Sequence, residues 1–170
     1  GIIGMASPML QEVFAGKLIG VEAIFTELTP AQKTSIAAIA AGFTGLLSLF
    51  NIAGRFFWAS LSDKIGRKAT YATFFLLGFA MYASIPSMAE GANLALFVTF
   101  MCVILSMYGG CFATVPAYLA DMFGTKFVGA IHGRLLTAWS AAGIFGPVLV
   151  NYLREYQLAH GVARADAYNI

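Results

Sequence analysis

What most limits this chain is the length of its apolar runs. Across residues 36–61, 69–88, 94–120 and 135–152 a single charged side chain occurs, Arg55. About 20 mostly apolar residues, rising 1.5 Å each in a helix, cross a hydrocarbon layer of about 30 Å. Inside such a layer only helices and closed barrels satisfy their own backbone. The hydrophobic fraction of 59% and the charged fraction of 11% leave too little polar surface for a water-soluble domain, where roughly a quarter of the residues carry charge. The expectation is therefore an all-α membrane protein.

Five segments are expected to enter or cross the bilayer. The first, about 1–14, is too short to span alone; the others are 36–61, 69–88, 94–121 and 135–152. Residues 16–35 carry Lys17, Glu22, Glu27, Pro30 and Lys33 and read as a solvent-exposed connection with room for a short interfacial helix. Residues 62–68 and 123–134 read as loops, 89–93 with Glu90 and Gly91 as a tight return, and the stretch after Leu153 as a frayed tail. The chain starts at Gly1 without an initiator Met or the blocks of a signal peptide, so it is read as a piece of a longer protein.

Lys64, Arg67 and Lys68 crowd one turn, and Lys126 and Arg134 share the next loop on that side. Lys17, Lys33, Arg154 and Arg164 are spread over longer segments, while Glu12, Glu155 and Asp166 also fall on that other face. Positive loops are retained in the cytoplasm, which places 62–68 and 123–134 there. A net charge of +2 with scattered basic residues gives no nucleic-acid footprint. Cys102 and Cys111, nine residues apart in one run, would stand about 13 Å apart along a helix, too far for a disulfide. His132 and His160 have no second ligand at metal spacing, and no GxSxG, HExxH, Walker A or GxGxxG pattern occurs, so neither a metal, a cofactor nor an enzymatic role is expected.

Arg55 is the sharpest chemical signal. It lies eight residues before Asp63, hence about 12 Å inside the membrane edge, where an arginine costs at least a few kcal/mol unless it is paired, hydrated or snorkelling. Thr44, Ser48, Asn51, Arg55 and Ser62 follow at steps of 4, 3, 4 and 7, which makes one polar stripe, with Trp58 on the same face. Such a stripe suits a cavity better than lipid. The apolar runs hold no acid to pair with Arg55, since Asp63 and Asp121 belong to helix ends, so its partner is an anionic ligand, a residue elsewhere in the protein, or water at the interface. Tyr108 and Tyr118, beside Gly109, Gly110 and Pro116, are candidates to hydrogen-bond a carboxylate or simply to pack. Thr137, Ser140, Pro147 and Asn151 form a milder polar face on the last run, where Gly143 and Gly146 favour close packing.

In the turn Asp63-Lys64-Ile65-Gly66-Arg67-Lys68, glycine permits a sharp reversal and the aspartate can pair with a nearby base. With Leu61 this turn resembles the loop motif of the major facilitator superfamily, although Ala59 stands where that motif begins with glycine. The resemblance implies a gating role at the cytoplasmic side for Asp63, Gly66 and Arg67. Asn51 to Arg55, Tyr108 to Gly124 and Gly133 to Ser140 are similar to the oxalate/formate antiporter family. That likeness implies a major facilitator helical bundle, with this chain as about helices seven to eleven of the C-terminal six-helix half, completed by an N-terminal transmembrane half.

It also implies that Arg55 holds a carboxylate substrate, with Asn51, Ser48, Trp58, Tyr108 and Ser140 as lining candidates. A second basic residue expected in helix eleven is absent; Ser140, Ala141 and Ala142 stand in its place. One arginine points to a monocarboxylate such as pyruvate, lactate or formate, ahead of the dianion oxalate. The expected setting is a multi-pass bilayer protein, of the bacterial inner membrane, working by alternating access as an antiporter or a symporter. Two rivals stand beside it: a facilitator for a neutral metabolite or drug with Arg55 structurally paired, and a membrane scaffold or receptor subunit.

Overall fold

The computed structural model describes residues 2–21, 25–90 and 93–162. Glu22, Gly91, Arg164 and Asp166 lie outside the described residues. Within them the chain forms α1 (Ile2–Val13), α2 (Ala15–Ile19), a 3₁₀ turn at Phe25–Glu27, α3 (Pro30–Ile65), α4 (Arg67–Glu90), α5 (Leu94–Phe123), a 3₁₀ turn at Thr125–Phe127 and α6 (Val128–Ala159). No strand occurs among the described residues. By length and composition, Pro30–Ile65, Leu94–Phe123 and Thr125–Ala159 suffice to cross a membrane.

The helices outrun the apolar segments, and this shortens the loops. Ser62, Asp63, Lys64 and Ile65 remain in α3, and α4 starts at Arg67, so the loop read at 62–68 reduces to Gly66. The loop read at 123–134 reduces to 124–127. Hydropathy marks where lipid ends, whereas backbone hydrogen bonding continues into the interface as long as no residue breaks it. Gly66 does break it: its φ of 89° and ψ of 152° suit a residue without Cβ.

The connection read at 16–35 is more ordered than its charges suggest. Leu28, Ile36 and Ala15 form a small buried cluster with Leu18, Ile19, Val21 and Phe25 against it. α3 begins inside this segment, because Pro30 suits a first helical position and Thr29 caps it reciprocally with Gln32.

α3 and α5 make the main contact of the fold, with α1 against α3 and α4 against α5. Ala40, Phe43, Leu47 and Trp58 of α3 meet Phe97, Met101, Leu105 and Met107 of α5, joined by Leu10 of α1 and Phe74 of α4. Lipid tails are as apolar as these side chains, so close packing rather than escape from water must hold the helices together. Three glycines allow it. A Cβ on Gly54 would fall on the Ser106 carbonyl, one on Gly109 on the Asn51 carbonyl, and one on Gly110 on the Trp58 side chain.

α6 stands apart, with no buried residue and with Leu135, Trp139, Ile144, Phe145, Val148, Leu149 and Tyr152 exposed. Near its far end Arg154 forms an ion pair with Glu12 of α1 at 2.6 Å, the two side chains being 19% and 11% exposed. Pro116 and Pro147 sit inside continuous helices.

Candidate functional site

The tight α3–α5 contact sorts the polar stripe of α3. Asn51 donates from Nδ2 to the Leu105 carbonyl at 3.5 Å, and Trp58 donates from its indole Nε1 to the Ser106 hydroxyl at 3.2 Å. Trp58 is buried, with its ring edge-on to Phe57 and Phe74, so its polar atom belongs to the helix seam. Ser48 and Thr44 give their protons to carbonyls one turn back in their own helix and keep oxygen lone pairs for a ligand. Between these residues lies a groove of about 210 Å³, lined by Thr44, Leu47, Ser48, Asn51, Ile52 and Leu105.

Arg55 follows one turn after Asn51 on the flank of that seam and is exposed. Its stem passes over Gly109, where a Cβ would stand 3.3 Å from Arg55 Cγ. No hydrogen bond or ion pair engages its guanidinium among the described residues. A buried carboxylate would have neutralised it; here its five N–H donors remain available to an anion.

α5 carries Tyr108 next to Gly109. The Tyr108 hydroxyl accepts a hydrogen bond from Trp139 Nε1 of α6 at 2.9 Å, and Phe112 packs edge-on to Trp139 with ring centres 5.7 Å apart. These aromatics join α6 to α5 one residue from the Arg55 stem. The Ser140 hydroxyl, by contrast, bonds the Leu136 carbonyl of its own helix. Tyr118 stacks on Tyr71 with ring centres 5.3 Å apart, a packing position on the α4 side. Trp139 is the residue whose part sequence reasoning missed: its place in the similar segment was visible, but its partner on another helix was not.

At the end of the bundle where α3 meets α4, Arg67 gathers three partners. It pairs with Asp63 at 2.6 Å and with Asp121 of α5 at 3.3 Å, and donates to Ser62 Oγ at 2.8 Å. One guanidinium thus clips the ends of α3, α4 and α5, and Asp121, read from sequence only as a helix end, is part of the cluster. The two aspartates are exposed while Arg67 is largely covered, so these are interfacial ion pairs that conformational change can break at modest cost.

Comparison with known proteins gives the family. The sequence pattern of the Major Facilitator Superfamily matches residues 1–157. The chain is 33% identical over 99 residues to an oxalate:formate antiporter of Oxalobacter formigenes, covering 58% of this chain and 23% of that protein. It is 34% identical over 95 residues to the glucose transporter GlcP of Staphylococcus epidermidis, covering 54% and 20%, and 30% identical over 98 residues to human synaptic vesicle glycoprotein 2C, covering 56% and 13%. Each match spans less than a quarter of the relative's own length. No solved structure matches significantly.

Proposed function

The chain belongs to the major facilitator superfamily, and from that premise we propose that it forms part of the path of a secondary transporter for a small monocarboxylate. Membrane transport is the common ground of the family; the anion is our reading. The observation that carries it is Arg55: a guanidinium without a protein partner among the described residues, one helical turn beyond Asn51, which with Ser48 edges the groove. Arg55 would take the carboxylate as a bidentate pair, with the Asn51 amide and the Ser48 oxygen for a ligand's polar groups, and Tyr108 and Trp139 forming an aromatic wall. Asp63, Gly66, Arg67 and Asp121 would close the cytoplasmic end in one of the two states of alternating access.

Antiport is the coupling that this reading favours. Residues 36–61, 69–88, 94–120 and 135–152 contain no Asp, Glu or His to carry a proton, and exchange of one anion for another needs none. The likeness to an oxalate:formate antiporter supports both the anion and the exchange. The comparable likeness to a glucose transporter supports a second reading, a neutral metabolite with Arg55 bound to an acid elsewhere in the protein.

The test is uptake of labelled pyruvate, lactate, formate, oxalate and glucose by proteoliposomes holding the full-length protein, wild type against Arg55→Gln. A charged hydrogen bond contributes about 1.5–3 kcal/mol, so loss of the guanidinium should weaken carboxylate uptake on the order of tenfold or more while insertion is preserved. Unchanged carboxylate uptake, or uptake of glucose alone, would refute the proposal.

A further inference from the structure

We propose that the outer flank of the α3–α4 corner binds one anionic phospholipid, with its phosphate on Lys64 and Lys68 and an acyl chain along Phe57 and Leu61. Successive helical residues turn by about 100°, so Lys64, nine residues after Arg55, points about 180° away from it. Phe57 and Leu61 share the flank of Lys64. Whatever Arg55 faces, Lys64 faces the opposite way, along an exposed flank of α3.

The flank has the shape such a ligand needs. Phe56, Phe57, Ser60, Leu61 and Lys64 line an open groove of about 390 Å³, and Phe56 and Phe57 are 73% and 61% exposed. Across Gly66 a second groove, of about 580 Å³, runs beside Lys68, Tyr118 and Met122, and the Asp121 carboxylate that also lines it is paired with Arg67. Apolar walls that end in a cation at the membrane edge match an acyl chain that ends in a phosphodiester.

Charge complementarity chooses the occupant. Arg67 is engaged by Asp63, Asp121 and Ser62, whereas among the described residues no carboxylate lies within ion-pair distance of Lys64 or Lys68. Two cations are therefore left over, at an edge where each basic side chain attracts anionic headgroups. A free soluble phosphate would use the lysines and ignore the groove; a phospholipid uses both.

The experiment is native mass spectrometry of the full-length protein released from micelles titrated with phosphatidylglycerol or phosphatidylcholine. The wild type should retain phosphatidylglycerol at concentrations where phosphatidylcholine is lost. The double variant Lys64→Gln, Lys68→Gln should bind phosphatidylglycerol on the order of tenfold more weakly. Lys126→Gln, which removes the same charge from the neighbouring loop, should leave retention unchanged. Phe57→Ser, with both lysines intact, should weaken phosphatidylglycerol and spare glycerol phosphate. Full retention by the double variant, equal loss in Lys126→Gln, or no effect of Phe57→Ser would each overturn the site, the last in favour of a free anion. The readout does not involve transport, so it stands whether or not Arg55 binds a carboxylate.

Discussion

Gly54→Ala should destabilise the bundle, although alanine is the better helix former. In an exposed helix interior the exchange gains about 1 kcal/mol. At Gly54, however, the added Cβ would overlap the Ser106 carbonyl and stand 2.6 Å from both its carbon and the Ser106 Cα, all backbone atoms that no rotamer change can clear. α3 and α5 must separate by about 1 Å, and overpacking of this kind costs about 1–3 kcal/mol. The same separation stretches the Asn51–Leu105 and Trp58–Ser106 hydrogen bonds, each worth about 0.5–1.5 kcal/mol. The net expectation is a loss of about 1–3 kcal/mol. Gly45→Ala in the same helix meets nothing within 4 Å and should be neutral or slightly stabilising. Thermal unfolding of the two purified variants in one detergent gives the comparison. If Gly54→Ala unfolds at or above the wild-type temperature, the close approach of α3 and α5 is not what holds this fold.

Two further expectations concern its ion pairs. Asp121→Asn should release α5 from Arg67 and raise alkylation of a cysteine placed at Ala142 by a small factor, since exposed pairs contribute about 0.2–1 kcal/mol; Arg67→Ala, which removes every link of the cluster, should raise it further, and equal rates in both variants and wild type would sink the gating role. At the opposite end, Arg154→Gln should lower the unfolding temperature by removing the 2.6 Å contact of a largely covered ion pair, whereas Glu12→Gln combined with Arg154→Gln should recover part of that loss. Raised salt should weaken the Arg67–Asp121 contact and spare Glu12–Arg154, a difference visible in unfolding temperatures measured across ionic strength.

The helical class was legible in the sequence, because it rests on local information. Loop lengths were not: Asp63 and Lys64 look like a loop by hydropathy, yet neither interrupts the hydrogen-bond ladder of α3. The polar stripe was legible as a stripe but not in its parts. Its period is a property of one helix, whereas the division of Trp58 and Asn51 into the α5 seam and of Arg55 onto its flank depends on where the neighbouring helix lies.

Composition and periodicity by themselves thus determined an all-helical membrane protein with one arginine inside its apolar runs and a charged reversal at Gly66. Only the tertiary structure decided that Arg67 reaches Asp121, that Trp139 meets Tyr108, and that Glu12 pairs with Arg154 across 142 positions of chain. The physical reason is range. A helix repeats over a few residues and is written in each segment, while these contacts arise where glycines let two helices approach, and that distance is written in no segment alone.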